Sequence, residues 1–179
     1  MGKILIVNAV PVGSEGLTGV YTSDKDEALG EYANAIAGRL MEYQIVAIYT
    51  IGLPEVTMMA NTIADKLNIQ VQPMPGIDEL KIIIPVIDDL EVIREHIGRA
   101  LDVIAEKYRK GIVAVISSPA LSVIMILYLL HMHNKHFSQI VQDAGAINLF
   151  EVRSGVPSAL FINDTCHLHG LNLKIRQES

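Results

Sequence analysis

Three short stretches, Lys3–Asn8, Gln44–Tyr49 and Ile112–Ile116, each with an unbroken apolar centre, constrain this chain more than anything else in it. They have the length of strands, and they lack the polar alternation of a strand that is wet on one side. Each therefore reads as a strand buried on both faces, the pattern of a parallel sheet covered by helices. The segments between them keep helical spacing. Ser23 offers an N-cap with Asp24, Asp26 and Glu27 behind it, and Ala28, Tyr32, Ala35, Ile36 and Leu40 recur at the helical period up to about Met41. Pro54 suits the first turn of a second helix striped by Val56, Met59, Ala60, Ile63, Ala64 and Leu67. A short strand over Ile69–Gln72 and an irregular stretch over Pro73–Pro85 follow. A long helix then runs from Asp88 to about Lys110, striped by Leu90, Ile93, Ile97, Leu101 and Ile104. The third strand leads through Ser118 and Pro119 into a helix ending near His131. Gln139–Val141, Ala146–Val152 and Ala159–Asn163 read as strands, with Ser154–Gly155 as a hairpin turn. Strand–helix alternation of this kind predicts an α/β protein: a three-layer α/β/α sandwich on a mostly parallel central sheet, with one domain spanning 1–179.

Composition removes several functional classes. A net charge of −6, with no basic run longer than Lys107–Lys110, argues against nucleic-acid binding, which needs clustered cations against phosphate. Cys166 is the single cysteine, so a disulfide framework and a multi-cysteine zinc site are both excluded, and a reducing cytoplasmic setting is expected. Gly111–Leu130 carries no charge over a membrane-spanning length. Ser117, Ser118 and Pro119 interrupt it, so it reads as a strand followed by a helix, and no membrane partner is expected. Half of the residues are apolar and none is Trp, so aliphatic side chains must fill the core. That surplus makes a homodimer, joined through an apolar helix or an edge strand, an expected partner.

Candidate chemistry is sparse. His131, His133 and His136 cluster beyond a helix, and His167 with His169 would share one face if they lay on a strand, as a metal site could use. No carboxylate–histidine spacing of a metal motif accompanies them, so loop histidines are the simpler reading and no metal or cofactor is expected. Ser118 ahead of a helix has the outline of a nucleophile elbow. The flanking glycines are missing and Pro119 removes a backbone donor, so a helix cap explains it better. Gly13, Gly16 and Gly19 lack the spacing of a dinucleotide loop.

Several strings, in order, resemble the histidine phosphatase (phosphoglycerate mutase-like) superfamily. Ile48-Tyr49-Thr50-Ile51-Gly52-Leu53-Pro54-Glu55 through Ala60 sits at the family's second strand and its turn into a helix. Gly76-Ile77-Asp78-Glu79 is similar to the segment carrying the family acid, and Val92–Leu101 to the helix before the last parallel strand. Val113–Ser118 stands where the family has Val-Val-Ser-His. Ile147–Glu151 with Phe161–Leu168 is similar to the closing hairpin, including Asn163-Asp164-Thr165-Cys166-His167-Leu168. The resemblance covers about Lys3–Gly170 and implies the phosphoglycerate mutase-like fold; a flavodoxin-like sheet is the generic alternative.

It also implies where phosphoryl chemistry would sit. The family attacks phosphate with a neutral histidine nitrogen, holds the charge with two arginines and a second histidine, and moves the proton with a carboxylate. At the end of the first strand Arg-His-Gly-Glu falls on Asn8, Ala9, Val10 and Pro11, so the nucleophile's place holds Ala9 and the first arginine's place holds Asn8, a neutral donor. The second arginine falls on Glu55 and the second histidine on Ser118; Glu79 matches the acid. A carboxylate about 4 Å from a phosphate charge costs about 4 kcal/mol at an effective dielectric of about 20. Glu55 also reads simply as an acid in a first helical turn. The expectation is a degenerate pocket of Asn8, Ala9, Glu55, Glu79 and Ser118 with no catalytic residue. It would serve an inactive protein with a binding or regulatory role toward an unidentified small molecule. The alternative is an active phosphatase or phosphoglycerate mutase that draws in a histidine from His131–His136 or His167.

Overall fold

The structure, a computed structural model, describes residues 2–9, 25–76, 90–153, 155–169 and 171, with the side chains of residues 25–28 and 55 left out. Ser23, Asp24, the three loop glycines, Glu79, Asp88 and Ser154 therefore lie outside the described residues.

Among the described residues, six strands form one sheet in the order β3-β2-β4-β1-β5-β6. They are β1 (Gly2–Asn8), β2 (Ile45–Thr50), β3 (Val71–Pro73), β4 (Ile112–Ser117), β5 (Ile147–Arg153) and β6 (Val156–Asp164). β3, β2, β4 and β1 run parallel, while β5 and β6 are antiparallel additions, so the sheet is mostly parallel as expected. Continuous apolar runs end where predicted because both faces are covered: Leu5, Ile6, Val7, Ala114, Val115 and Ile116 have no exposed surface.

Among the described residues, four α-helices provide that cover: α1 (Lys25–Leu40), α2 (Pro54–Leu67), α3 (Leu90–Lys107) and α4 (Pro119–Leu129). α1 packs on α2, and α3 on α4. Each predicted stripe faces inward, with Tyr32, Ile36 and Leu40 of α1, Met59 and Ile63 of α2, and Ile97, Leu101 and Ile104 of α3 all buried. Pro54 and Pro119 open their helices, where a missing N–H costs nothing. α4 differs from the rest: every residue from Leu121 to Leu127 is buried, so it has no polar side. Among the described residues no helix is long and apolar enough to cross a membrane. The uncharged stretch Gly111–Leu130 divides into β4 and the 11-residue α4.

Two expectations need correction. Gln139–Val141 is not a strand; a 3-10 helix over Asn134–Gln139 ends there, and the next residues run on to the turn at Gly145. The β-branched pair Ile140–Val141 mimicked a strand but joins no ladder, and β1, the strand whose end lies beside this turn, already has β4 and β5 on its two sides. The short third strand lies at Val71–Pro73, later than Ile69–Gln72, because α2 ends in a left-handed cap at Asn68 (φ 54°) whose chain then needs two residues to rejoin the sheet. Gly155 has φ 80° and closes the β5–β6 hairpin. β6 is an edge strand with an unpaired outer side among the described residues, and Val156, Leu160 and Ile162 on it are exposed.

Candidate functional site

β1 and β4 lie side by side, and their register pairs Asn8 with Ser117. Both chains leave the sheet there, Ala9 accepting no side-chain role but donating its N–H to Ser117 O at 2.7 Å. The structure thus brings Asn8, Ala9 and Ser118 together at the carboxyl ends of two central parallel strands, where sheets of this kind place ligands. Glu55 stands in the first turn of α2, which follows the adjacent β2, and its side chain lies outside the described residues. Ser118 is the N-cap of α4, its Oγ accepting from Leu121 N at 3.5 Å, so it is a cap as the sequence suggested.

Asn8 is wholly buried, and it does not act as the neutral donor expected of it. Its Nδ2 donates to Gln142 Oε1 at 2.9 Å and to Asp143 O at 2.9 Å, so both protons are used within the protein. Its main chain also grips the same turn: Asn8 N donates to Ala146 O, and Gly145 N to Asn8 O. Gly145, at φ 73°, sits against Tyr32 and Leu168, where a Cβ would come within 2.9 and 3.0 Å of ring and methyl carbons; only glycine fits.

A chain of amides extends from this point. Asn148 Nδ2 donates to Gln142 Oε1 at 2.8 Å and to Ile6 O at 3.2 Å. Asn148 Oδ1 accepts from Asn163 N at 2.8 Å, and Asn163 exchanges two bonds with Asp143, Asp143 N to Asn163 Oδ1 and Asn163 Nδ2 to Asp143 Oδ2, both 2.8 Å. Asn163 holds φ 58°, a left-handed conformation that asparagine tolerates better than most residues. Sequence reading missed this network because its members are up to 142 positions apart. One signal was available: Asn148 is a polar residue inside the apolar run Ala146–Phe150, and such a residue needs partners.

On the other side of the turn His167 contacts Gly145 O through Nε2 at 3.0 Å. A carbonyl can only accept, so Nε2 carries the proton and Nδ1 keeps a lone pair, which is buried and unpartnered. Burial holds the His167 imidazole below its ordinary pKa, outweighing the Gly145 bond and Asp164, which act the other way. Cys166–Leu168 is a 3-10 helix, so His167 and His169 do not share a strand face as a metal pair would. The chain turns at Asp164, where burial raises the carboxyl but the Cys166 N–H (3.0 Å) and Arg39 (3.3 Å) hold it below the usual range. Among the described residues no three His, Cys, Asp or Glu side chains are arranged to hold a metal.

A separate cleft lies elsewhere. A volume of about 600 Å³ opens at the amino end of β1, lined by Gly2, Ile4, Leu101, Asp102, Tyr108 and Arg109 among others. Its charged groups are exposed, and Arg109 already pairs with Glu106.

No protein-family model matches the sequence, and no curated protein does. Solved structures do match. Phosphoserine phosphatase from Entamoeba histolytica, in complex with 3-phosphoglyceric acid, superposes with a TM-score of 0.70 at 20% identity, covering 94% of this chain and 100% of that one. A mutant of that enzyme with alanine in place of a histidine, in complex with phosphoserine, gives 0.71 at 18% identity with the same coverage. A putative alpha-ribazole-5'-P phosphatase from Escherichia coli gives 0.68 at 10%, over 92% of this chain and 98% of that one. With TM-scores near 0.7 and near-complete coverage of both chains, this chain has the phosphoglycerate mutase-like α/β fold of the histidine phosphatases.

Proposed function

We propose that the chain is a catalytically inactive phosphoglycerate mutase-like protein with a binding or regulatory role. The reading is carried by Ala9, which follows β1 at the position where the resemblance puts the attacking histidine, and which has no group to attack with. The other exits of the central parallel strands support it. Thr50 and Ile51 end β2, and Ser117 and Ser118 end β4, so neither an imidazole nor a guanidinium stands there. Loss of a nucleophile alone costs a hydrolase about a millionfold in kcat. The alanine mutant of the Entamoeba phosphatase, solved in complex with phosphoserine, is an example of this fold holding a ligand with alanine in place of a histidine.

The alternative, an active phosphatase or mutase using a different residue set, would rest on His167. Its ring is neutral and oriented by a carbonyl, as a nucleophile must be, but its free Nδ1 is buried and cannot meet a phosphorus atom. Purified protein assayed with para-nitrophenyl phosphate and phosphoserine is expected to show no turnover above the buffer rate. Turnover that persists through repurification and disappears in His167→Asn would overturn the proposal in favour of that alternative.

A further inference from the structure

Asn8 identifies what the strand end can hold, and this inference rests on the inactive reading just given. Which end of its amide is nitrogen is fixed by its neighbours. Asp143 O is a main-chain carbonyl and can only accept. Gln142 Oε1 is fixed in turn, because it also accepts from Asn148 Nδ2 while Gln142 Nε2 donates to Val141 O at 3.0 Å. Turning the Asn8 amide over would set its oxygen against two oxygens. With both protons committed, Oδ1 is left over, and it is buried without a partner.

A second buried polar atom in α4 also lacks a partner. Strand alternation puts Ile4, Ile6 and Asn8 on one face of the sheet, together with their register partners Val113, Val115 and Ser117. α3 and α4 cover this face, since Ile4 and Val113 line one cleft with Leu101, Ile104 and Leu129. Ser122, wholly buried in the second turn of α4, has an Oγ that is likewise without a partner. Ser117 directs its hydroxyl to Ser118 O at 3.3 Å.

We infer that the carboxyl end of β1 takes a small ligand through a hydrogen-bond donor, a primary ammonium group, received by Asn8 Oδ1, and that it does not take phosphate. Phosphate oxygens are acceptors at neutral pH and would meet an acceptor where an anion site needs a donor. An ammonium group supplies three protons where a hydroxyl supplies one, and the Asp143 carboxylate, exposed at the outer side of the same network, adds a screened attraction for a cation. Because Asn8 has no exposed surface, the group must be small.

The test uses the intact chain and two cations of equal charge. Methylammonium has three N–H donors, and tetramethylammonium has none. In ¹⁵N-resolved spectra methylammonium is expected to shift the Asn8 side-chain amide and the Ala9 and Gly145 main-chain amides saturably, with an affinity at least tenfold above that of tetramethylammonium. Inorganic phosphate is expected to leave these signals in place. Equal responses to the two cations, a response to phosphate, or no response to any of the three would each overturn the inference. Phosphomonoester turnover measured on the same sample would instead refute the parent reading, so the two failures are distinguishable.

Discussion

The two ends of the central sheet use polar residues in opposite ways. At the amino end there is room, about 600 Å³ of it, but its polar groups are surface charges such as the Arg109–Glu106 pair, which water already satisfies. At the carboxyl end described polar groups are enclosed: Asn8, Ser117 and Asn148 have no exposed surface, and two buried atoms near α4 and β1 lack partners. Enclosed, incompletely paired polar groups are expensive to keep and so mark a site more reliably than open volume does. The amino-end cleft is thus the poorer candidate.

That contrast can be broken experimentally. Asn8→Asp should have the largest effect, because a buried carboxylate would face Gln142 Oε1 and Asp143 O; a loss of about 3–5 kcal/mol in urea unfolding is expected. Stability near wild type would mean that the strand end is wetter than its burial indicates. At the amino end, Gly2→Ala places a Cβ 2.8 Å from Tyr108 O, a main-chain atom that cannot swing away, and should cost about 1–3 kcal/mol. A smaller effect is pH-dependent. His167 titrates below its ordinary value, so its contribution is complete above the unfolded-state pKa of about 6.5 and is lost as pH falls through the lower folded-state value. Melting temperature followed from about pH 7.5 to about pH 5 should fall more steeply in wild type than in His167→Asn. Arg109→Ala should move stability by less than about 0.5 kcal/mol, the mark of an exposed pair; a larger loss would give the amino-end cleft more importance than argued above.

Sheet, helices and their inward faces were legible because burial on two faces and burial on one stripe leave different periods in the sequence, and Pro54 and Pro119 marked two helix starts. The false strand at Gln139–Val141 shows the limit: two β-branched residues look the same whether or not a ladder edge is available to them. At the site, the place of Ala9 at the end of β1 could be read from the sequence. The role of Asn8 could not, since it depends on Gln142 and Asp143, more than 130 positions away, and on which atoms of an amide they occupy. Glu55 and Glu79 remain sequence expectations, the first with its side chain and the second altogether outside the described residues.

α4 carries a consequence for how the chain comes into being. A helix enclosed from Leu121 to Leu127 has no side to turn toward water. On a growing polypeptide it would emerge as an adhesive segment while β5, the strand that flanks β1, is still unmade. Its safety during synthesis then depends on β1, β4 and α3, all upstream of it, being ready to receive it as it appears.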